Sequence, residues 1–82
     1  MTTERAALLE FLASRAVPLP DDGDDASLVR SGLIDSVALL DLILWIEARL
    51  GHAIDPTRVE LFDELDSVSR ILRFLQRERA RG

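Results

Sequence analysis

The stretch from Ser36 to Leu50, SVALLDLILWIEARL, limits the fold more than any other part of the chain. It holds no glycine or proline, and most of its residues are apolar. At about 100° per residue, Leu39, Leu42, Ile43, Ile46 and Leu50 gather on one side. Asp35 stands where an N-cap belongs, and Gly51 where a glycine closes a helix. The pattern predicts a helix over 36–50 with that side facing a core. The opposite side collects Val37, Asp41, Leu44 and Ala48, with Leu40 and Trp45 at its edges. A surface helix needs only one apolar stripe. Apolar residues on the second face of a small domain mark an interaction surface.

The rest of the chain supplies partners for that helix. Residues 3–15 carry Leu8, Phe11 and Leu12 at i, i+3 and i+4, with Leu9 and Ala13 widening the stripe. Thr2 or Thr3 can cap this helix, and Pro18 and Pro20 end it. Residues 16–34 form a long connection without strand character. Ser27 to Arg30 suits a helical turn, and Leu28, Leu33 and Ile34 are expected to pin the connection to the core. Thr57-x-x-Glu60 has capping-box spacing, which predicts a short helix over 57–62 with Ile54, Val59 and Phe62 pointing inward. A last helix is expected over 67–79, capped by Asp66, with Val68, Ile71, Leu72 and Leu75 inward and Arg70, Arg73 and Arg77 outward. The ends, about 1–2 and 79–82, are expected to fray. The reading is a single all-α domain over 1–82: a four-helix bundle with three longer helices, a short third one and a long first loop.

Charge narrows the class of function. The net charge is −5. Residues 21–66 hold twelve acids and three bases, whereas 67–82 hold five arginines and one glutamate. An acidic middle repels phosphate backbones, which argues against nucleic acid. It suits partners with basic docking patches. There are no cysteines, so thiolate metal sites and thiol nucleophiles are excluded. With one histidine as well, no metal site is expected. No stretch reaches the ~18 apolar residues of a membrane span, and no signal pattern opens the chain. A cytoplasmic monomer away from membranes is the expectation. The acidic run Asp21, Asp22, Asp24 and Asp25 lacks the spacing and closing glutamate of a calcium loop, so it reads as a solvated loop.

Ser36 is the candidate reactive residue. Serine and aspartate at a helix start are common caps, which is the plainer reading. Three features raise a functional one. The serine is followed by outward apolar residues, Val37, Leu40 and Leu44. Asp41 and Glu47 lie among or beside them. Gly32 loosens the backbone just before. The helix start also favours an anion, although the neighbouring Asp35 opposes it. A hydrolase reading fails because a serine nucleophile needs a base within hydrogen-bond reach. The only histidine, His52, lies past the far end of the helix, roughly 24 Å away at 1.5 Å per residue. No G-x-S-x-G elbow is present. Asp35 and Asp41 do not share a face, so a paired-carboxylate site fails too. No catalytic residue is assigned, and the chain reads as a non-enzyme.

The run GLIDSVALLDLILWIEARLGHAIDP resembles the central stretch of acyl carrier proteins. In that family an Asp-Ser pair and an aliphatic residue open helix two, and an acidic residue follows five positions after the serine, here Asp41. The resemblance extends over nearly the whole chain. It implies an acyl-carrier-like bundle with 4′-phosphopantetheine attached to Ser36 by a phosphopantetheinyl transferase, from coenzyme A. The arm would hold an acyl or aminoacyl group as a thioester and carry it among a loading ligase and acyl-transferring enzymes of a biosynthetic pathway. Asp35, Val37, Leu40, Asp41, Leu44 and Glu47 would form the docking face. Ile43, Ile46, Ile54, Val59, Phe62 and Val68 would line a space for an acyl chain, the plainer reading of these six being simple core.

Departures from the family pattern narrow the resemblance. The Gly-Gly-x-Ser entry of peptidyl carriers is absent, and Ala38 stands where bacterial fatty-acid carriers often have aspartate. Leu33-Ile34-Asp35-Ser36 with a small residue after Val37 looks more like discrete, stand-alone carriers of D-alanyl transfer or specialised pathways. Trp45 sits where a small residue is usual, either packing on the first loop or tuning partner choice. The alternative is a helical protein-interaction module of the same fold that is not modified.

Overall fold

The computed structural model describes residues 3–18, 23–55, 57 and 60–81. Among them the elements are four α-helices and one 3-10 turn, with no strand: α1 (Glu4–Ser14), the turn (Gly23–Asp25), α2 (Ser36–Leu50), α3 (Leu61–Glu64) and α4 (Val68–Arg81).

Each helix end has a local cause. The Thr3 hydroxyl accepts the Ala6 N–H at 3.1 Å and opens α1. Thr2, the other expected cap, lies outside the described residues. Asp35 accepts the Ala38 N–H at 2.8 Å and opens α2, while Gly51, at φ +81°, closes it with its N–H on the Glu47 carbonyl. Both ends of α2 fall where its sequence pattern puts them. At the end of α1, Ala16 N–H bonds the Ala13 carbonyl and Val17 N–H bonds the Leu12 carbonyl. That pair of bonds is a Schellman motif, which calls for a left-handed residue between them. The residue is Ala16, at φ +59°, where glycine would be the unstrained choice.

The core is one cluster gathered on α4, which contacts α1, α2, α3 and the 3-10 turn. Val68, Ile71, Phe74 and Leu75 are buried on it, and Phe74 is the largest wholly enclosed side chain. Leu8 and Leu12 from α1, Leu39, Leu42 and Ile46 from α2, and Leu65 pack against them. Burial of such side chains contributes about 1.5–3 kcal/mol each before chain entropy is set against it. Helices α1 and α2 run antiparallel, joined by long side chains. Glu4 pairs with Arg49 at 2.6 Å, the Phe11 and Trp45 rings stand 5.4 Å apart, and Arg15 meets Asp41 at 3.2 Å. Trp45 thus packs on α1, with the Arg49 guanidinium over its ring.

Three sequence-based expectations are corrected. First, α3 starts at Leu61, four residues later than expected. Thr57 donates its N–H and hydroxyl to the Asp55 carboxylate, at 2.9 and 2.6 Å, so it is held in a turn and forms no capping box. The later start puts Leu61 and Leu65, at i and i+4, on the core side. Phe62 is consequently rotated outward and is 62% exposed. Second, Leu33 faces solvent at a bend in the chain, while the next residue, Ile34, is buried. Third, Asp66 does not cap α4. The Ser67 hydroxyl does so, accepting the Arg70 N–H at 3.1 Å. Helix α4 runs through Arg81, and Arg79 pairs with Glu4.

Asp66 instead holds the long connection. Its Oδ1 accepts the Ser27 hydroxyl at 2.8 Å and the Val29 and Arg30 N–H groups at 2.9 and 3.0 Å. Its carbonyl accepts the Leu28 N–H, and the Leu28 carbonyl in turn accepts the Ile34 N–H at 2.8 Å. Leu28 and Ile34 are thereby seated in the core, Ile34 two residues before Ser36. Burial pushes the Asp66 carboxyl up, but its hydrogen bonds and the Arg30 charge outweigh this and hold it below its ordinary value.

Candidate functional site at the start of helix two

Ser36 is the first residue of α2, exposed, and follows directly on the Asp35 cap. Asp35 uses its carboxylate on Ala38 and its carbonyl on the Leu39 N–H. That leaves the Ser36 and Val37 N–H groups and the Ser36 hydroxyl without partners among the described residues. A helix start in this state favours an anion by about 0.3–1 kcal/mol when exposed. Gly32, at φ +86°, makes the tight turn that leads into the site. Among the described residues none forms a hydrogen bond with the Ser36 hydroxyl as a base would. His52 is exposed at the opposite end of α2, with its Nδ1 3.0 Å from the Ala53 carbonyl.

An apolar stripe runs from the serine along the outer side of α2. Val37 is 71% exposed, Leu40 57% and Leu44 55%. Leu33 and Phe62, exposed against expectation, add to the apolar surface of the protein. The acidic residues expected on the stripe are partly occupied. Asp41 pairs with Arg15, and Glu47 accepts the Ile54 N–H at 2.7 Å, tying the loop after α2 to the helix. Phe62 and Leu33 were missed because their outward positions depend on where α3 begins and on the bend before α2.

Four of the six residues expected to line an acyl space lie in or against the core. Ile46, Ile54 and Val68 are buried core, and Ile43 is half-buried against it. Phe62 faces away, and Val59 lies outside the described residues. The structure does hold an open apolar groove of about 390 Å³ at the end of α1, lined by Leu9, Leu12, Ala13, Ala16, Val17 and Pro18.

The family model for the phosphopantetheine attachment site matches residues 6–75. The chain belongs to the phosphopantetheine attachment site family. The match bears out the resemblance to acyl carrier proteins, and the all-helical arrangement is that of an acyl-carrier-like bundle. No curated protein and no solved structure matches the chain at a significant level. A domain of this family is where 4′-phosphopantetheine is attached, and such domains are typically non-catalytic carriers. Membership implies interaction with a phosphopantetheinyl transferase and with acyl-handling enzymes in general. No helix among the described residues is long and apolar enough to cross a membrane.

Proposed function

We propose that Ser36 carries 4′-phosphopantetheine and that the chain shuttles an acyl or aminoacyl group between enzymes of a biosynthetic pathway. When bound, the arm supplies a terminal thiol on which that group is held as a thioester. The observation that carries this reading is a comparison of the six serines within the matched span. The hydroxyls of Ser14 and Ser31 donate to carbonyls of Phe11 and Ser27. Ser27 donates to Asp66, and buried Ser67 caps α4. Ser69 is half-buried within the first turn of α4. Ser36 alone combines a free hydroxyl with exposure at a helix start beside an apolar stripe.

The chain's own residues then act as follows. Ser36 Oγ forms a bond to the phosphorus of the pantetheine-bearing phosphate of coenzyme A. The P–O bond of the pyrophosphate breaks, and adenosine 3′,5′-bisphosphate leaves. The Ser36 proton would go to a base of the transferase, since no described residue of this chain accepts it. The N–H groups of Ser36 and Val37, free among the described residues, would hold the phosphodiester. Val37, Leu40 and Leu44 bury apolar area against the partner, while Asp35, Asp41 and Glu47 give the face its acidic character. In this reading the chain is a carrier and not an enzyme, acting as a cytoplasmic monomer.

The test is to incubate the protein with coenzyme A, magnesium and a broad-range transferase and then weigh it. A gain of one phosphopantetheine that disappears in Ser36→Ala is expected. A gain that survives Ser36→Ala overturns the assignment. No gain, with partner binding retained, favours the unmodified interaction module.

A further inference from the structure

The outer side of α4 carries a basic strip on an acidic chain. Residues 67–82 hold five arginines and one glutamate, while the whole chain has a net charge of −5. Arg70, Arg73 and Arg77 stand at i, i+3 and i+7, on one side of the helix and turned away from buried Ile71, Phe74 and Leu75. All three are exposed. At 1.5 Å per residue the strip is about 10.5 Å long.

Contacts from α3 hold the two ends of the strip. Arg70 donates from Nη1 to the Asp63 carbonyl at 2.9 Å. Arg77 pairs with Glu64 at 2.9 Å, and its guanidinium lies over the Phe74 ring. Arg73, between them, has no partner among the described residues. The three arginines share a groove with Asp63 and Glu64. Asp63 is paired with Arg30 and Glu64 with Arg77, so no carboxylate of the groove offsets the charges of Arg70 and Arg73. Helix electrostatics do not account for these positions. Arg70 lies in the first turn of α4, where the positive helix end disfavours a cation, and Arg73 lies beyond the reach of either end.

Each guanidinium offers five N–H donors in a fork that fits a carboxylate. Three forks along one helix match carboxylates repeated at the same spacing on a facing helix. Arg70 and Arg77 are already held, which lowers the ordering cost of binding.

We propose that the strip of Arg70, Arg73 and Arg77 is a docking surface for a partner protein that presents an acidic helix, with carboxylates at i, i+3 and i+7. A local carboxylate cluster can face the strip and stay clear of the acidic residues elsewhere on the chain. An extended polyanion, whether nucleic acid or anionic membrane, meets both and is repelled by the second. Neither Ser36 nor the apolar stripe on α2 takes part, so this surface is independent of the carrier reading.

The test titrates the ¹⁵N-labelled full chain, without the arm, with an alanine-based helical peptide bearing glutamates at i, i+3 and i+7. The control peptide has the same composition with its glutamates spread around the helix. The side-chain Nε–H signals of Arg70, Arg73 and Arg77 are expected to shift, with the patterned peptide binding about tenfold tighter than the control. Arg73→Glu, at a position with no ion pair to lose, keeps the parent's melting temperature and weakens binding about tenfold. Changing the middle glutamate of the peptide to lysine restores binding to that variant and not to the parent. Equal binding of the two peptides, or an affinity unchanged by Arg73→Glu, overturns the proposal. So does tighter binding to single-stranded DNA or to phosphatidylglycerol vesicles than to the patterned peptide, which assigns the strip to a polyanion instead.

Discussion

Replacing Asp66 by alanine isolates the contacts that hold the loop before Ser36. One carboxylate oxygen accepts three hydrogen bonds at 2.8–3.0 Å from Ser27, Val29 and Arg30, and the Arg30 guanidinium lies 3.9 Å from the other oxygen. The side chain is only 13% exposed, so water replaces little of this. A hydrogen bond to a charged group nets about 1.5–3 kcal/mol, but three on one oxygen do not add. The main-chain bond from Leu28 to the Asp66 carbonyl survives the change. The expected loss is about 2–4 kcal/mol. At about 4–8 °C per kcal/mol for a domain this small, the melting temperature falls by roughly 8–32 °C. The pH dependence identifies the cause. The folded carboxyl lies below its ordinary value, so its stabilisation is complete above the unfolded pKa, about 3.9, and is lost as pH falls through the folded pKa. The gap between parent and variant should therefore be constant from about pH 5 upward and narrow below about pH 4. Thermal melts followed by circular dichroism across that range are the assay. A variant melting within about 2 °C of the parent, or a gap unchanged at low pH, would refute the role given to Asp66.

Other expectations follow from single sites. Ala16→Gly relieves the left-handed strain and, after the entropy of glycine is subtracted, raises stability by about 0.5–1 kcal/mol in urea unfolding. Leu44→Glu, on the exposed stripe, leaves stability within about 0.5 kcal/mol but lowers the transferase's kcat/KM toward this protein tenfold or more. Phe74→Ala empties the centre of the core, costs about 3–5 kcal/mol, and leaves the chain largely unfolded by circular dichroism.

What could be read from the residues alone was what depends on near neighbours. Helix α2 is legible end to end because its apolar period, its aspartate cap and its closing glycine all lie within the segment. The serine at its start and the exposed Val37, Leu40 and Leu44 follow from the same period. The misreadings share a different cause. Asp66 and Ser67 are both good caps, and which one serves depends on the turn at 27–30, distant in sequence, which claims Asp66. Phe62 faces outward because Asp55 holds Thr57 in a turn and delays α3. Ala16 gives no local signal for a left-handed residue, since glycine is the usual marker, so the groove beside it was invisible before the backbone was known.

The central claim is that Ser36 is a passive anchor for a carried group, with chemistry supplied by partners. The most direct measurement is the intact mass of the protein isolated from its own host, beside that of Ser36→Ala. The account predicts the chain mass plus one phosphopantetheine, bare or acylated, and only the bare chain mass for the variant. An unmodified parent, or a modification that persists in Ser36→Ala, would contradict it.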